Sequence, residues 1–254
     1  MIFLDTLFGS KIATSVKIGE VYYPINLATQ ALRYYSEPAL FITEHVINYQ
    51  LSKSGSAFKF KLLGKYFVVC TRHQLNSYSL DQFGLQGADP ANIVTSNAAL
   101  TSNDHDDDFD CCLFDFSDGV NSGSISKSSW YDISSDLNER GLPKPIRVVA
   151  IGYPGHRNVI DYERQTFGAS PNAVWGTESK SSIKNRLAFD VTPTIDFDPK
   201  GMSGGPVFGF HTSSNSVKVF FCGIVTNASR KKFNFIPISS IRIMIANIME
   251  QDVD

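Results

Sequence analysis

A short glycine-rich segment of the sequence holds a serine in a setting that suits nucleophilic chemistry. The segment is Gly201-Met-Ser-Gly-Gly-Pro206, in which Ser203 is the candidate nucleophile. A serine hydroxyl attacks a carbonyl carbon efficiently when a histidine accepts its proton and a carboxylate orients that histidine. Downstream of Ser203 the only histidine is His211, and the only acidic residues lie within 250–254. The order serine, acid, histidine of a strand-to-helix nucleophile elbow is therefore excluded.

The other order, histidine then aspartate then serine, is available. His73 closes the apolar run Tyr66-Phe-Val-Val-Cys-Thr-Arg-His73, which predicts a buried strand that would hold an imidazole rigidly. Asp110 opens a second apolar run, Asp-Cys-Cys-Leu-Phe, where its carboxylate can face the histidine ring. Asp108 is a rival for that role, although residues 104–108 are expected to form a solvated acidic loop. These residue types in this order suit acyl transfer.

The composition excludes several other classes of function. Of 254 residues 43% are hydrophobic and 19% charged, which is typical of a folded protein. Lys plus Arg number 23 against 25 Asp plus Glu, a balance that argues against binding nucleic acids or anionic membranes. The sequence has no phosphate-binding loop, dinucleotide fingerprint or zinc signature, so no cofactor or metal is expected. The expected partners are a protein or peptide substrate and a regulatory protein.

The cysteines and the first residues bear on the compartment. Cys70, Cys111, Cys112 and Cys222 all lie in strand-like apolar runs, so we expect buried, reduced thiols rather than disulfides or a zinc site. The first eight residues lack a basic start and are interrupted by an aspartate, so they do not resemble a signal peptide. No apolar run approaches the ~18 residues that span a bilayer. A cytoplasmic protein is expected.

The elements that must position these residues are mostly strands. Helical periodicity is confined to residues 36–51 and 239–250, and the second segment carries a one-sided row of apolar residues. A Gly/Ser/Asn-rich stretch at 117–129 predicts the boundary between two halves. The remaining apolar runs are short and predict an antiparallel barrel or sandwich. Predicted strands are 57–63, 66–71, 111–116, 146–151, 187–191, 206–210 and 217–225.

Four motifs occur in this order: Val69-Cys-Thr-Arg-His73, Asp110-Cys-Cys-Leu-Phe114, Gly201-Met-Ser-Gly-Gly-Pro206 and Gly223-Ile-Val-Thr-Asn227. Together they resemble the histidine strand, the aspartate segment, the nucleophile loop and the substrate-flanking strand of chymotrypsin-like (trypsin-fold) serine peptidases. The resemblance implies an all-β fold of two antiparallel six-stranded β-barrels with a C-terminal helix and the site in the cleft between the barrels. The expected organisation is an N-terminal extension at 1–35, a first barrel at 36–125 and a second at 126–254.

The resemblance also implies a role for each site residue. His73 would be the general base and acid, Asp110 would orient it, and Ser203 would be the nucleophile. The backbone N–H groups of Gly201 and Ser203 would form the oxyanion hole. The implied activity is that of a serine endopeptidase, which hydrolyses peptide bonds in a protein through an acyl-enzyme.

The substrate pocket is harder to derive. The family's pocket floor lies about six residues before the serine, which is Phe197 here. An aromatic floor favours small apolar side chains, whereas Asp196 or Asp198 turned inward would favour Lys or Arg. Both alternatives stay open at this point. The implied pocket wall consists of Thr226, Asn227 and Ala228.

The chain also departs from secreted members of the family. Met202 replaces the aspartate that pairs with a newly cut N-terminus, and Gln74 replaces the cysteine after the histidine. These features, and the run Val148-Val-Ala-Ile-Gly-Tyr-Pro-Gly155, resemble intracellular bacterial and HtrA-like branches. The alternatives are a catalytically silent peptide-binding module on the same fold and an esterase-like hydrolase. Residues 1–35 are hypothesised to form a regulatory flap or docking surface.

The remaining histidines have weaker interpretations. His45 is expected on the surface of the first predicted helix. His105, among carboxylates, suggests a hard-cation site but lacks the Gly and Glu of a calcium loop. His156 is expected in a loop, where lining the substrate cleft is an alternative. His211 could reach the pocket and contact an acidic substrate side chain, but this role is not expected.

Overall fold

The structure is a computed structural model that describes most of the chain. No helix within the described ranges is long and apolar enough to cross a membrane. Residues 104–108, with the predicted acidic loop and His105, lie outside those ranges, as does His45. The described residues are 15–19, 21–43, 50–89, 92–101, 110–134, 136, 143–161, 166–213 and 216–250.

Strands dominate the described residues, as the sequence predicts, and each predicted strand is present. The helices are α1 (Ala28–Arg33), α2 (Ser117–Asn121) and α3 (Ile238–Glu250). The strands are β1 (Ser15–Ile18), β2 (Val21–Pro24), β3 (Ser36–Thr43), β4 (Gln50–Leu62), β5 (Lys65–Cys70), β6 (Phe83–Gln86), β7 (Ile93–Thr95), β8 (Ala98–Thr101), β9 (Cys112–Asp115), β10 (Tyr131–Asp132), β11 (Arg147–Gly152), β12 (Asn158–Asp161), β13 (Thr166–Ala169), β14 (Asn172–Ser179), β15 (Leu187–Val191), β16 (Pro206–Ser213), β17 (Ser216–Ala228) and β18 (Lys232–Pro237).

The C-terminal sheet closes on itself as a six-stranded barrel. Its strands follow the order β16-β11-β14-β15-β18-β17, and β17 pairs again with β16. Because β17 is 13 residues long, its two ends can pair with different neighbours. Residues 223–228 pair with β18, whereas Val217 and Lys218 pair in parallel with β1. The hairpin of β1 and β2 therefore extends the C-terminal sheet with residues from the N-terminal segment.

The other sheet is a curled half-barrel. Its order is β7-β6-β3-β4-β5-β9-β8, with β10 added to β4. Aromatic rings fill its concave face, where Phe83 stacks on Phe114 with ring centroids 4.2 Å apart. The predicted fold class is confirmed, although in the described residues no pairing joins edge strands β7 and β8. The predicted division of the chain between residues 125 and 126 stays a prediction. Strand β10, which follows that point in sequence, pairs with β4 of the first sheet.

A shared apolar core joins the two sheets. Phe58 of the first sheet stacks on Phe221 of the barrel, with ring centroids 4.2 Å apart. Helix α3 packs against the same core, and its predicted apolar face is confirmed. The buried residues of that face are Ile241, Met244, Ile245 and Ile248.

The helix predicted at residues 36–51 is wrong. Residues 36–43 form strand β3 and residues 50–51 begin β4, while 44–49 lie outside the described residues. A β-bulge between Ala39 and Leu40 breaks the alternation of β3. Ala39, Leu40 and Phe41 are consequently all buried, and such a run imitates the apolar spacing of a helix.

The described part of the N-terminal segment is built into the core. Val16, Ala28 and Leu32 are fully buried and belong to the apolar cluster shared by both sheets. Burial of this kind stabilises the fold by about 1.5–3 kcal/mol for each large aliphatic side chain. The regulatory role hypothesised for residues 1–35, as a flap or docking surface, stays a prediction.

Candidate active site

His73 stands where a buried strand meets the surface. Four consecutive residues, 67–70, are fully buried and anchor the end of β5. The chain then turns through a short 3₁₀ helix, Arg72–Gln74, which carries the imidazole outward. Asp110 precedes β9, which pairs with β5 so that Cys70 faces Cys112. Adjacent strand ends therefore deliver the histidine and the aspartate to one place.

The carboxylate of Asp110 binds His73 at two points. Oδ2 lies 2.6 Å from ring Nδ1, and Oδ1 accepts the backbone N–H of His73 at 2.8 Å. An ionised carboxylate only accepts hydrogen bonds, so Nδ1 carries a proton and Nε2 of the neutral ring is left as the acceptor. The side chains are 48% and 22% exposed, so the ring is accessible while the carboxylate is mostly covered. Nε2 lies 3.4 Å from the Thr71 hydroxyl.

The loop of Ser203 lies beside the turn that carries His73. The backbone carbonyl of Ser203 accepts a hydrogen bond from the side-chain amide of Gln74, the residue after the histidine. It also accepts the backbone N–H of Ser56 at 2.8 Å. The Ser203 hydroxyl, however, donates to the carbonyl of Thr226 at 2.7 Å. The structure therefore brings the two loops together, but within the described residues the hydroxyl has no hydrogen bond to His73.

The backbone around Gly201 presents two amides without acceptors. Gly201 has φ +96°, and a Cβ there would lie 2.7 Å from the carbonyl oxygen of Tyr153. The carbonyl of Lys200 accepts the N–H of Gly155 at 2.8 Å, so the Gly201 N–H of the same trans peptide points the other way. Across the described residues, neither Gly201 N–H nor Ser203 N–H has a hydrogen-bond acceptor. Two such donors side by side can receive an anionic oxygen.

Met202 anchors this loop without a charge. Its side chain is fully buried in the apolar core of the C-terminal barrel. Its N–H donates to the Pro199 carbonyl at 2.9 Å, and its carbonyl accepts Gly205 N–H at 3.1 Å. The loop is therefore held by apolar packing and backbone hydrogen bonds.

Phe197, the predicted pocket floor, is half-buried against the barrel core. Its ring centroid lies 5.2 Å from that of His156, which places this histidine in the same loop cluster. Asp196 and Asp198 are exposed, and Asp198 accepts the Lys200 N–H at 3.0 Å. Both carboxylates lie at the surface, and the role of Phe197 as pocket floor stays a prediction.

The other predicted pocket residues divide between core and surface. Thr226 is buried and supplies the carbonyl that binds the Ser203 hydroxyl, and Ala228 packs on the barrel core. Asn227 is exposed. His211 lies on β16 with Nδ1 3.0 Å from the Lys144 carbonyl, in a contact separate from the Ser203 loop.

Two residues near the site escape sequence analysis. Ser56 is fully buried, and its hydroxyl donates to the Gly201 carbonyl at 2.7 Å. The Lys53 ammonium donates to the Tyr153 carbonyl and lies 5.7 Å from the centroid of that ring. Burial lowers the pKa of Lys53 to about 8. No motif marks either residue, since Lys53 lies between Ser52 and Ser54, and Ser56 between Gly55 and Ala57.

The four cysteines are free and buried, as expected. Burial raises the pKa of Cys112 to about 12, an effect that the nearby Asp110 carboxylate reinforces. Burial likewise raises the pKa of the other three thiols. Thiols held neutral in this way are poor nucleophiles. In the parts of the chain that the structure describes, no cluster of three or more metal-ligating side chains is present.

Comparisons with known proteins support the fold. No protein-family model matches the sequence, and no curated protein matches it. Among solved structures, a mutant of human heparin binding protein (CAP37) matches with a TM-score of 0.53 at 12% identity, covering 84% of this chain and 91% of that one. At this identity the likeness concerns the fold alone. The closed barrel, the curled sheet and the terminal helix define a chymotrypsin-like fold, which confirms the fold that the motifs implied.

Proposed function

We propose that the protein is a trypsin-like serine endopeptidase that hydrolyses peptide bonds in a protein substrate. The observation that carries the proposal is the double contact of Asp110 with His73, which fixes both the ring and its tautomer. A buried structural histidine would have no need of an accessible Nε2, whereas a general base requires one. Ser203 follows in the neighbouring loop, where its own N–H and that of Gly201 have no acceptor among the described residues.

In the proposed acylation step, Ser203 Oγ attacks the substrate carbonyl carbon while its proton passes to His73 Nε2. Asp110 stabilises the imidazolium that forms. The C–N bond then breaks as Nε2 returns the proton to the leaving amine, which leaves an ester on the serine. Water then attacks the ester carbon while Nε2 takes its proton. The bond from that carbon to Ser203 Oγ breaks as Nε2 returns the proton to Oγ, which releases the new carboxyl terminus.

The amides of Gly201 and Ser203 would bind the oxygen that becomes negative during each attack. Loss of one such donor costs on the order of 3–4 kcal/mol in other serine peptidases. The positive φ of Gly201 supports this role, because it lets adjacent amides point to one side.

The serine hydroxyl must leave the Thr226 carbonyl before it can react. In the proposed mechanism a rotation about χ1 would exchange that hydrogen bond for one to His73 Nε2, a trade between bonds worth about 1 kcal/mol each. Substrate entry would favour the exchange, since it displaces water from the site and strengthens the bond to the ring.

Phe197 sets the proposed specificity for small apolar side chains, with Thr226, Asn227 and Ala228 along the wall. We propose a cytoplasmic peptidase similar to the intracellular bacterial and HtrA-like branches, acting without a cofactor. Its partners would be a protein substrate and a regulatory protein.

One observation favours a second candidate, a catalytically silent peptide-binding module. The Ser203 hydroxyl is bound to Thr226 rather than to His73. A structure similar to this one belongs to a protein named for heparin binding, so the fold also serves binding. In a binding module the same cleft would hold a peptide without cutting it.

Cleavage of a peptide library, with product masses, separates the two candidates. The wild-type protein should release new termini, and Ser203→Ala should release none while still binding the best substrate. Binding without cleavage by both proteins would favour the module. Ester turnover alone, without peptide products, would indicate an esterase-like hydrolase.

A further inference from the structure

Ser56 joins the first sheet to the candidate oxyanion loop. It lies on β4, is fully buried, and is 145 residues from Gly201 in sequence. Its backbone contributes two hydrogen bonds: its N–H donates to the Ser203 carbonyl at 2.8 Å, and its carbonyl accepts the Gln74 side chain at 3.2 Å. These backbone bonds would persist with almost any side chain at this position.

The hydroxyl of Ser56 adds two contacts that only a small polar side chain can make. Oγ donates to the Gly201 carbonyl at 2.7 Å and accepts the Tyr153 N–H at 2.8 Å. Ser56 Oγ thus links Gly201, a residue of the candidate oxyanion hole, to the segment at Tyr153 against which Gly201 packs. Gly155, two residues further along, binds the Lys200 carbonyl at 2.8 Å. Both peptide groups flanking Gly201 are therefore tied to the segment that Ser56 holds.

Glycines on two neighbouring segments let their backbone come close to Ser56. A Cβ added at Gly152 would lie 2.8 Å from Ser56 Oγ, and one at Gly204 would lie 1.9 Å from the Ser56 carbonyl oxygen. A side chain at either glycine would therefore push its segment away from Ser56. Hydrogen bonds that are buried and fully used hold their partners in one geometry.

We propose that Ser56 is a positioning residue that keeps the Gly201 amide directed at the oxyanion site. This inference rests on the proposed function and adds its regulation. The loop carries no charge at Met202, so no ion pair at that residue organises it. Because the two sheets pack together through Ser56, the Gly201 and Ser203 N–H groups reach their positions as the protein folds. No proteolytic activation is required.

The test compares Ser56→Ala with Ser117→Ala in the full chain. Ser117 is a matched control because it is also buried and its hydroxyl also accepts a backbone N–H, that of Tyr66 at 3.1 Å. The probe is diisopropyl fluorophosphate, whose reaction with Ser203 needs the oxyanion donors but no specific substrate side chain. Three quantities are measured: the labelling rate, the ³¹P shift of the adduct, and hydrogen exchange of residues 199–205.

Ser56→Ala should label at least about tenfold more slowly than Ser117→Ala, a fraction of the loss for removing a whole donor. Its ³¹P shift should differ from that of the wild-type adduct, and exchange in 199–205 should rise only in this variant. Should Ser56→Ala fail to fold, Ser56→Cys and Ser117→Cys allow the same comparison, with a weakly hydrogen-bonding thiol in place of each hydroxyl and a slightly larger side chain.

Equal labelling rates, equal ³¹P shifts and equal exchange in the two variants would overturn the proposal. The proposed function fails separately, if the wild-type protein is not labelled at Ser203. In that case exchange of residues 199–205 alone decides whether Ser56 holds the loop: a selective rise in Ser56→Ala supports the role, and its absence ends it.

Discussion

The carboxylate of Asp110 binds both the ring and the backbone of His73, with oxygen–nitrogen distances of 2.6 Å to Nδ1 and 2.8 Å to the amide nitrogen. The second contact limits movement of the whole residue and not only of the ring. It joins the turn after β5 to the start of β9, two places 37 residues apart in sequence. A carboxylate that served only as a surface ion pair would contribute little to such a fixed arrangement.

Replacing Asp110 by asparagine tests these two hydrogen bonds to His73. An amide favours the wrong tautomer of His73, so kcat should fall by about 10⁴, the loss known for the serine-peptidase triad, with a small change in KM. Asp115→Asn is the matched control. The Asp115 carboxylate also accepts a backbone N–H, that of Ser117 at 2.7 Å, but it lies at the far end of β9. Asp115→Asn should lower stability and keep activity; equal loss of activity in both variants would count against the role of Asp110.

Phe197 is predicted to set the size of the side chain accepted before the cut bond. Phe197→Ala should enlarge the pocket and shift the preference from small apolar to large apolar residues by about tenfold or more in kcat/KM. Peptide-library profiling measures the shift. Asp196→Ala is the control, because this neighbouring carboxylate is exposed and should not affect the profile. A preference for Lys or Arg that disappears in Asp196→Ala would show that an acidic residue reads the substrate instead.

The N-terminal segment is predicted to stabilise the fold. Leu32 is fully buried in the core shared by both sheets, so Leu32→Ala should reduce the free energy of unfolding by about 2–5 kcal/mol. Leu27→Ala removes the same atoms from a side chain that is 43% exposed and should cost far less. Urea unfolding of both variants measures the difference. Similar stabilities would mean that the segment packs loosely.

The buried thiol of Cys112 predicts a loss of stability in alkali. Burial raises its pKa from about 9 to about 12, so the folded protein keeps a proton that the unfolded chain releases. The contribution of this group is complete below pH 9 and falls as the pH rises toward 12. The stability advantage of the wild-type protein over Cys112→Ala should shrink by about 1.4 kcal/mol between pH 8 and pH 10. An advantage that stays constant across this range would contradict the assignment.

The sequence predicts local features of this fold better than contacts between distant segments. The apolar face of α3 follows from simple helical spacing, and the order of His73, Asp110 and Ser203 identifies two converging loops. The strand at residues 36–43 was not predictable, because the bulge after Ala39 destroys its alternation. Pairing of β1 with β17 also leaves no local signal, since it depends on β17 extending beyond the residues that pair with β18.

The candidate site shows the same division. Residue types and order single out a histidine, an aspartate and a serine as candidates, and their catalytic roles stay predictions. The contribution of Ser56 depends on a hydrogen bond spanning 145 residues, which no motif encodes. The rotamer that joins the Ser203 hydroxyl to Thr226 likewise depends on the folded surroundings.

Covalent labelling of Ser203 is the most direct test of the account. After incubation with diisopropyl fluorophosphate, intact-mass analysis of the wild-type protein should show one adduct, and peptide mapping should place it on Ser203. His73→Ala and Ser203→Ala should remain unlabelled. A wild-type protein that stays unmodified, or one that is labelled equally in Ser203→Ala, would contradict the claim that His73 activates this hydroxyl.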